Sequence, residues 1–210
     1  MLVLYHHNIS VCAQKVRIAL CEKGLEFEGR HISLMRSEHL SPEYRRVNPK
    51  AVVPTLVHEG VPILESTVIL EYLEDAFPDA PPLRPPHAVG RARMRLCTKI
   101  PDDGLHAACG TVSYAAIFGR QVVDFHGLAE FRERIAQLPD RARAARQTEL
   151  IDKGLGASFV PDHIRLHAKV LTEMDAALTG SPWLGGDEFS LADIAIQPYV
   201  WRLERLGLKR

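Results

Sequence analysis

The chain has 210 residues, 46% of them hydrophobic, so it can bury a real core as one large or two small domains. Its 26 basic and 26 acidic residues cancel, which argues against nucleic acid or an anionic membrane as principal partner. No apolar run approaches the ~20 residues of a membrane span, and Met1 to Tyr5 is too short for a signal core.

Leu2-Val3-Leu4-Tyr5 is a continuous apolar run of the kind a strand buried on both faces shows. His6 and His7 follow it. A paired-histidine metal site is disfavoured because neighbours on a strand point to opposite faces, and no metal is expected. Ser10 opens a helix whose Cys12, Val16, Ala19, Leu20 and Lys23 recur at helical spacing, with Lys15, Arg17 and Glu22 on the polar side. Gly24 is a natural stop. Leu25 to Glu28 alternates as a second strand, and strand–helix–strand implies a right-handed parallel unit.

A charged, helix-forming region from Ser37 to Arg46 leads to the densest stretch, Asn48 to Ser66. Thr55–His58 and Val61–Leu64 flank Glu59-Gly60 and predict a tight hairpin, glycine supplying the turn's positive φ. Pro54 forces Val53 into an extended conformation, leaving its N–H and C=O to pair with a peptide as an added strand would. Ser66 reads as the N-cap of a helix carrying Val68, Ile69, Tyr72, Leu73 and Ala76. With Ile69 at N3 there is no capping box, so the helix start is an open carboxylate site. The stretch is suited to hold a small peptide.

The segment Phe77 to Pro86 carries five of the 14 prolines and reads as a spacer. The expected division is residues 1–78, a linker 79–87 and an all-helical part 88–210. In that part Arg91–Gln121 is helical with a break at Pro101. Gly127–Leu150 is helical and charged; Arg132, Arg134, Arg141, Arg143 and Arg146 alternate with Glu130, Glu133, Asp140 and Glu149 as a solvated face. Asp162–Leu178 is amphipathic through Ile164, Ala168, Leu171, Met174 and Leu178. Ser190-Leu-Ala-Asp193 makes a capping box, with Phe189 stapling onto Ile194, at the start of a buried helix Leu191–Leu206 that Pro198 would kink. Cys12, Cys21, Cys97 and Cys109 form no CxxC pair, consistent with a reduced cytoplasmic chain; the last three read as core residues.

The run from Ser10 to Leu20 after a strand, Asn48-Pro49 through Val53-Pro54-Thr-Leu, Glu65-Ser66, and Ser190 to Asp193 stand in one order and spacing. In these the chain resembles the cytosolic glutathione S-transferases of the serine type. More loosely it is similar to their β-etherase-like and maleylacetoacetate isomerase-like branches.

The resemblance implies an α/β thioredoxin-like domain (β-α-β-α-β-β-α) followed by an all-helical one, as a homodimer. It implies glutathione as co-substrate and attack of its thiolate on a small hydrophobic electrophile. Ser10 would donate to the glutathione sulfur, Val53 would pair with its cysteinyl backbone, and Pro54 would be cis. Glu65 would take the γ-glutamyl ammonium and Ser66 the carboxylate beside it. His39 would meet the glycyl carboxylate, and Lys50 would replace a second histidine whose place Ala51 holds. Members usually continue past the capped helix with further helical segments, so a chain stopping at Arg210 implies a missing tail or an open acceptor pocket.

Cys12, at N2 behind the Ser10 cap, leaves two readings open. One is an inert side chain on the core stripe; the other is a low-pKa thiol serving a glutathione-dependent thiol transferase or reductase. A non-catalytic binder of glutathione or hydrophobes is the remaining alternative.

Overall fold

The computed structural model describes residues 1–136 and 141–208. The chain divides into two compact units, Met1–Asp102 with Met174–Trp201, and Asp103–Glu173 with the chain from Arg202 onward.

The first unit contains a mixed four-stranded sheet in the order β2-β1-β3-β4. β1 (Leu2–His6) is its interior apolar strand. It is followed by α1 (Val11–Glu22), which Ser10 caps and which Gly24, at φ 65°, terminates in the left-handed conformation. β2 (Glu28–His31) pairs parallel to β1, and β3 (Thr55–His58) pairs antiparallel to it. The hairpin to β4 (Val61–Ile63) turns on Glu59 and Gly60, both at positive φ, which matches the twist of the flanking strands. α3 (Ser66–Ala76) and α4 (Ala88–Lys99) follow. Leu4, Val16, Leu20, Leu56, Ile69, Leu73, Met94 and the Leu191 end of α10 (Leu191–Arg205) form one core.

Several expectations shift here. The second strand starts at Glu28, not Leu25; Leu25 and Phe27 pack on the core from the connection, and the paired residues are all exposed at the sheet edge. The N-cap of α3 is Glu65, at φ 66°, which makes Ser66 the first helical residue. Val68 is 55% exposed while Leu70 is buried, because the helix rotates its Ile69-Leu70-Leu73 stripe inward. Lys15 lies fully buried rather than on the polar face, four residues from buried Val11 and Ala19. Cys21 is exposed, off that same stripe, whereas Cys97 is half-buried and Cys109 buried. The Asp193 arm of the Ser190–Asp193 box forms, its carboxylate accepting from the Ser190 and Leu184 N–H groups at 3.0 and 2.9 Å, while the Ser190 hydroxyl accepts from the Ala192 N–H at 3.3 Å instead of that of Asp193.

In the second unit the helical path breaks at Asp103 and Gly104, just after Pro101. α5 (His106–Ser113) then runs through a π turn, Tyr114–Phe118, into α6 (Gly119–His126). α7 (Leu128–Ala136) and α8 (Arg141–Lys153) follow. Arg132 pairs with Asp152 at 2.6 Å, in keeping with a solvated face. Asp140, the Arg134 and Arg143 side chains, and the terminal Lys209 and Arg210 lie outside the described residues.

α9 (Val160–Thr179) buries Val160, His167, Val170 and Met174. Ile164 and Leu178, expected inward, are exposed, because the buried stripe runs through His167 instead of Ala168. Pro198 lies inside α10. Among the described residues no helix is long and apolar enough to cross a membrane.

Candidate functional site

Strand register gathers the singled-out residues. Tyr5 at the C-terminal end of β1 pairs with Thr55 at the N-terminal end of β3, and Leu56 pairs with Ile63 at the end of β4. The loop leaving β1 toward Ser10, the Val53-Pro54 entry to β3 and the Glu65-Ser66 exit from β4 therefore share one end of the sheet. Nothing in a linear reading forces this; antiparallel pairing of β1–β3 and β3–β4 does.

Ser10 is half-buried and its Oγ accepts from the Ala13 N–H at 3.3 Å. With a lone pair so engaged, its O–H remains able to donate outward. The Val53–Pro54 peptide is cis, and both residues are buried. Val53 lies just ahead of β3, at the end of the sheet that the loop from β1 also reaches.

A buried polar cluster fixes the loop that carries it. The Tyr44 hydroxyl, from α2 (Pro42–Val47), donates to the Val52 carbonyl at 2.6 Å and shares a hydrogen bond with Thr55 Oγ1 at 3.0 Å. Asn48 Nδ2 donates to the same two oxygens at 2.9 and 3.0 Å, while its Oδ1 accepts from the Lys50 N–H at 3.0 Å. Burial pushes the Tyr44 phenol above its usual range. Tyr44 escaped the sequence reading; the available signal was one aromatic among Glu43, Arg45 and Arg46 on a short helix.

Lys50 Nζ meets Glu65 Oε1 at 2.5 Å, with both side chains more than half exposed. The two residues expected at opposite ends of a tripeptide are thus ion-paired with each other. Ser66 is buried at the first turn of α3, where the cap supplies no side-chain hydrogen bond and the leading N–H groups stay open. His39 sits on a short 3-10 turn, Glu38–Leu40, half-buried and with Nδ1 unpartnered, and burial lowers its pKa.

Cys12 occupies N2 of α1, half-buried, its Sγ 3.8 Å from the Tyr199 hydroxyl. One turn along, the buried Lys15 ammonium lies 5.9 Å from the Tyr199 ring centroid and has no hydrogen-bond partner. Burial lowers the Lys15 pKa, against the opposing pull of Cys12, Asp102 and Glu65. Lys15 and Tyr199 were also missed, since their partners are distant in sequence. His6 and His7 both pack against His31, at 6.0 and 4.8 Å between ring centroids. Among the described residues, no group of three His, Cys, Asp or Glu side chains is arranged to hold a metal.

Residues 4–82 match the family model described as glutathione S-transferase, N-terminal domain, and residues 156–209 match its C-terminal domain counterpart. Glutathione S-transferase TCHQD of Arabidopsis thaliana is 31% identical over 219 residues, covering 98% of this chain and 78% of the relative. Protein LigF of Sphingobium sp. is 31% identical over 211 residues, covering 98% and 80%. The crystal structure of that LigF, described as a β-etherase, matches with a TM-score of 0.86 at 30% identity, over 98% of this chain and 85% of that one.

Proposed function

Because the chain belongs to the cytosolic glutathione S-transferase superfamily, an enzyme family with glutathione as co-substrate, we propose that it aligns glutathione along the Val53 backbone for attack on a small hydrophobic electrophile. The observation that carries this reading is the convergence of Ser10, Val53-Pro54 and Glu65-Ser66 on one end of the sheet.

In this reading the Ser10 O–H donates to the glutathione sulfur and the Val53 N–H and C=O pair with the cysteinyl unit. The ligand's γ-glutamyl ammonium displaces Lys50 from Glu65, and its neighbouring carboxylate meets the open N–H groups and hydroxyl at Ser66. Lys50, once released, turns to the glycyl carboxylate, with His39 as a second contact. Residues 1–78 hold glutathione, 79–87 link, and 88–210 supply the acceptor site. The assembly is a cytoplasmic homodimer.

A free thiol with a pKa of about 8.5 is only ~3% thiolate at pH 7. A hydroxyl donor and a helix N-terminus lowering it by ~2 units would give about 25-fold more thiolate. Reduced nucleophilicity returns roughly 6- to 10-fold of that gain. Activation thus supplies a few-fold, and most of the acceleration comes from holding thiolate and electrophile together.

The test is calorimetric binding of reduced glutathione combined with turnover on aryl halides, β-aryl ethers and peroxides. Ser10→Ala should lower turnover substantially and leave glutathione affinity nearly unchanged. Equal turnover would remove Ser10 from the mechanism, and a wild-type chain that fails to bind glutathione would overturn the reading.

A further inference from the structure

The turn that carries the chain from β1 to Ser10 is held by a titratable side chain that the transferase reading does not use. The Ile9 N–H donates to Nδ1 of the His7 ring at 3.2 Å, and the Ser10 N–H donates to the His7 carbonyl at 3.1 Å. Asn8, between them, is tied separately to α1. Its carbonyl accepts from Gln14 Nε2 at 3.0 Å and Arg17 Nη2 at 3.4 Å, and its Oδ1 accepts from Arg17 Nη1 at 3.2 Å. The hold at the His7 ring depends on a proton; the hold at Asn8 does not. A neutral imidazole accepts at Nδ1 only when Nε2 carries the hydrogen. An imidazolium has no lone pair left and would set its own N–H against that of Ile9.

The surroundings disfavour the imidazolium. The titratable groups bearing on His7 are His6, beside it at the end of β1, and His31 on β2, whose ring centroid lies 4.8 Å away. Arg17 of α1 and His31 bear in turn on His6. Each of these neighbours is a base. Burial first, and then these bases, hold both His6 and His7 below the ordinary histidine value.

We propose that His7 is a positioning residue for Ser10: its Nδ1 lone pair holds the turn that aims the hydroxyl, and acid releases that turn. That the hydroxyl serves a glutathione sulfur rests on the reading above; the hold of the His7 ring on the Ile9 N–H does not. Because the neutral ring is the one that accepts, the hold is complete at neutral pH and is lost as pH falls through the His7 titration. Asparagine supplies a control that does not titrate, since its Oδ1 makes the same bond to the N–H two residues on, in an Asx turn.

The experiment follows the nitrogen chemical shifts of the His7 ring, amide-exchange protection at Ile9, and turnover of an aryl halide with glutathione, all across pH. At neutral pH Nδ1 should be unprotonated and Nε2 protonated, and the ring should titrate below about pH 6.5. As pH falls through that titration, Ile9 protection should drop about 5-fold in the wild type, the size of one lost hydrogen bond, and stay constant in His7→Asn. Turnover is read as the ratio of wild type to His7→Asn, which cancels the ionisation of glutathione itself. The ratio should fall about 5-fold over the same interval. His7→Ala should lower turnover about 5-fold already at neutral pH, and His7→Asn should restore it.

A proton on Nδ1 at neutral pH, or an Ile9 amide indifferent to the ring's titration, would overturn the proposal in the wild type alone, independent of any variant's folding. So would a turnover ratio that stays flat, or a His7→Asn protein with a normal melting midpoint that fails to restore what His7→Ala loses. The ring and amide measurements need neither glutathione nor electrophile. An Ile9 amide that follows the ring, beside a Ser10→Ala protein as fast as wild type, would refute the placement of the sulfur while upholding the hold of His7.

Discussion

Replacing Tyr44 with Phe removes one hydroxyl from the cluster that holds the Val53-Pro54 loop, and the hydrogen-bond pattern sets the size of the effect. Two contacts go, at 2.6 Å to Val52 O and 3.0 Å to Thr55 Oγ1. Both partners still accept from Asn48 Nδ2, so nothing buried is orphaned, and the cost should be about 1–2 kcal/mol. Asn48→Ala breaks three contacts but leaves the Tyr44 hydroxyl on both oxygens, for about 2–3 kcal/mol. In the double variant the Thr55 hydroxyl, on a residue with no exposed surface, loses both partners at once.

The two changes should therefore cost more together than their sum, by about 1 kcal/mol. Urea unfolding of the four proteins measures this directly. The loosened loop should also raise KM for glutathione more than it lowers kcat. Additivity within about 0.5 kcal/mol, or a neutral Tyr44→Phe, would refute the assignment of this cluster as the brace.

Asp193→Ala reads from sequence as a lost cap costing about 1 kcal/mol. In the fold its nearly buried carboxylate satisfies two N–H groups, those of Leu184 and Ser190. The expected loss by denaturant unfolding is accordingly about 2–4 kcal/mol, and an unchanged midpoint would refute it. Folding stability should also fall with acid. Burial lowers the pKa of His6, His7, His39 and His167, so the unfolded chain binds more protons. Stability is complete above the unfolded histidine value near about pH 6.5 and declines as pH drops through it toward the folded values. Melting midpoints flat or rising between about pH 7.5 and pH 5.5 would contradict this.

Local signals were legible in the sequence wherever spacing alone carries them. The β1 run, the Ser10 cap and Gly24 stop of α1, the Glu59-Gly60 hairpin, the Ser190–Asp193 box and the break after Pro101 all depend on a few consecutive residues. Those residues respond to backbone sterics and the helical or strand period, which a linear string contains in full. Motif order likewise determined the family and the positions proposed to meet glutathione.

Tertiary packing decided what depends on residues far apart in the chain. β2 slid to Glu28 because strand limits follow pairing with β1, and α3 began at Ser66 because Glu65 took the left-handed turn out of β4. Burial of Lys15 beside Tyr199, the pairing of Lys50 with Glu65 and the brace by Tyr44 have no periodic signature. Each joins side chains whose approach is fixed only once the sheet has ordered its strands, since a charge or hydroxyl has no sequence pattern that specifies its distant partner.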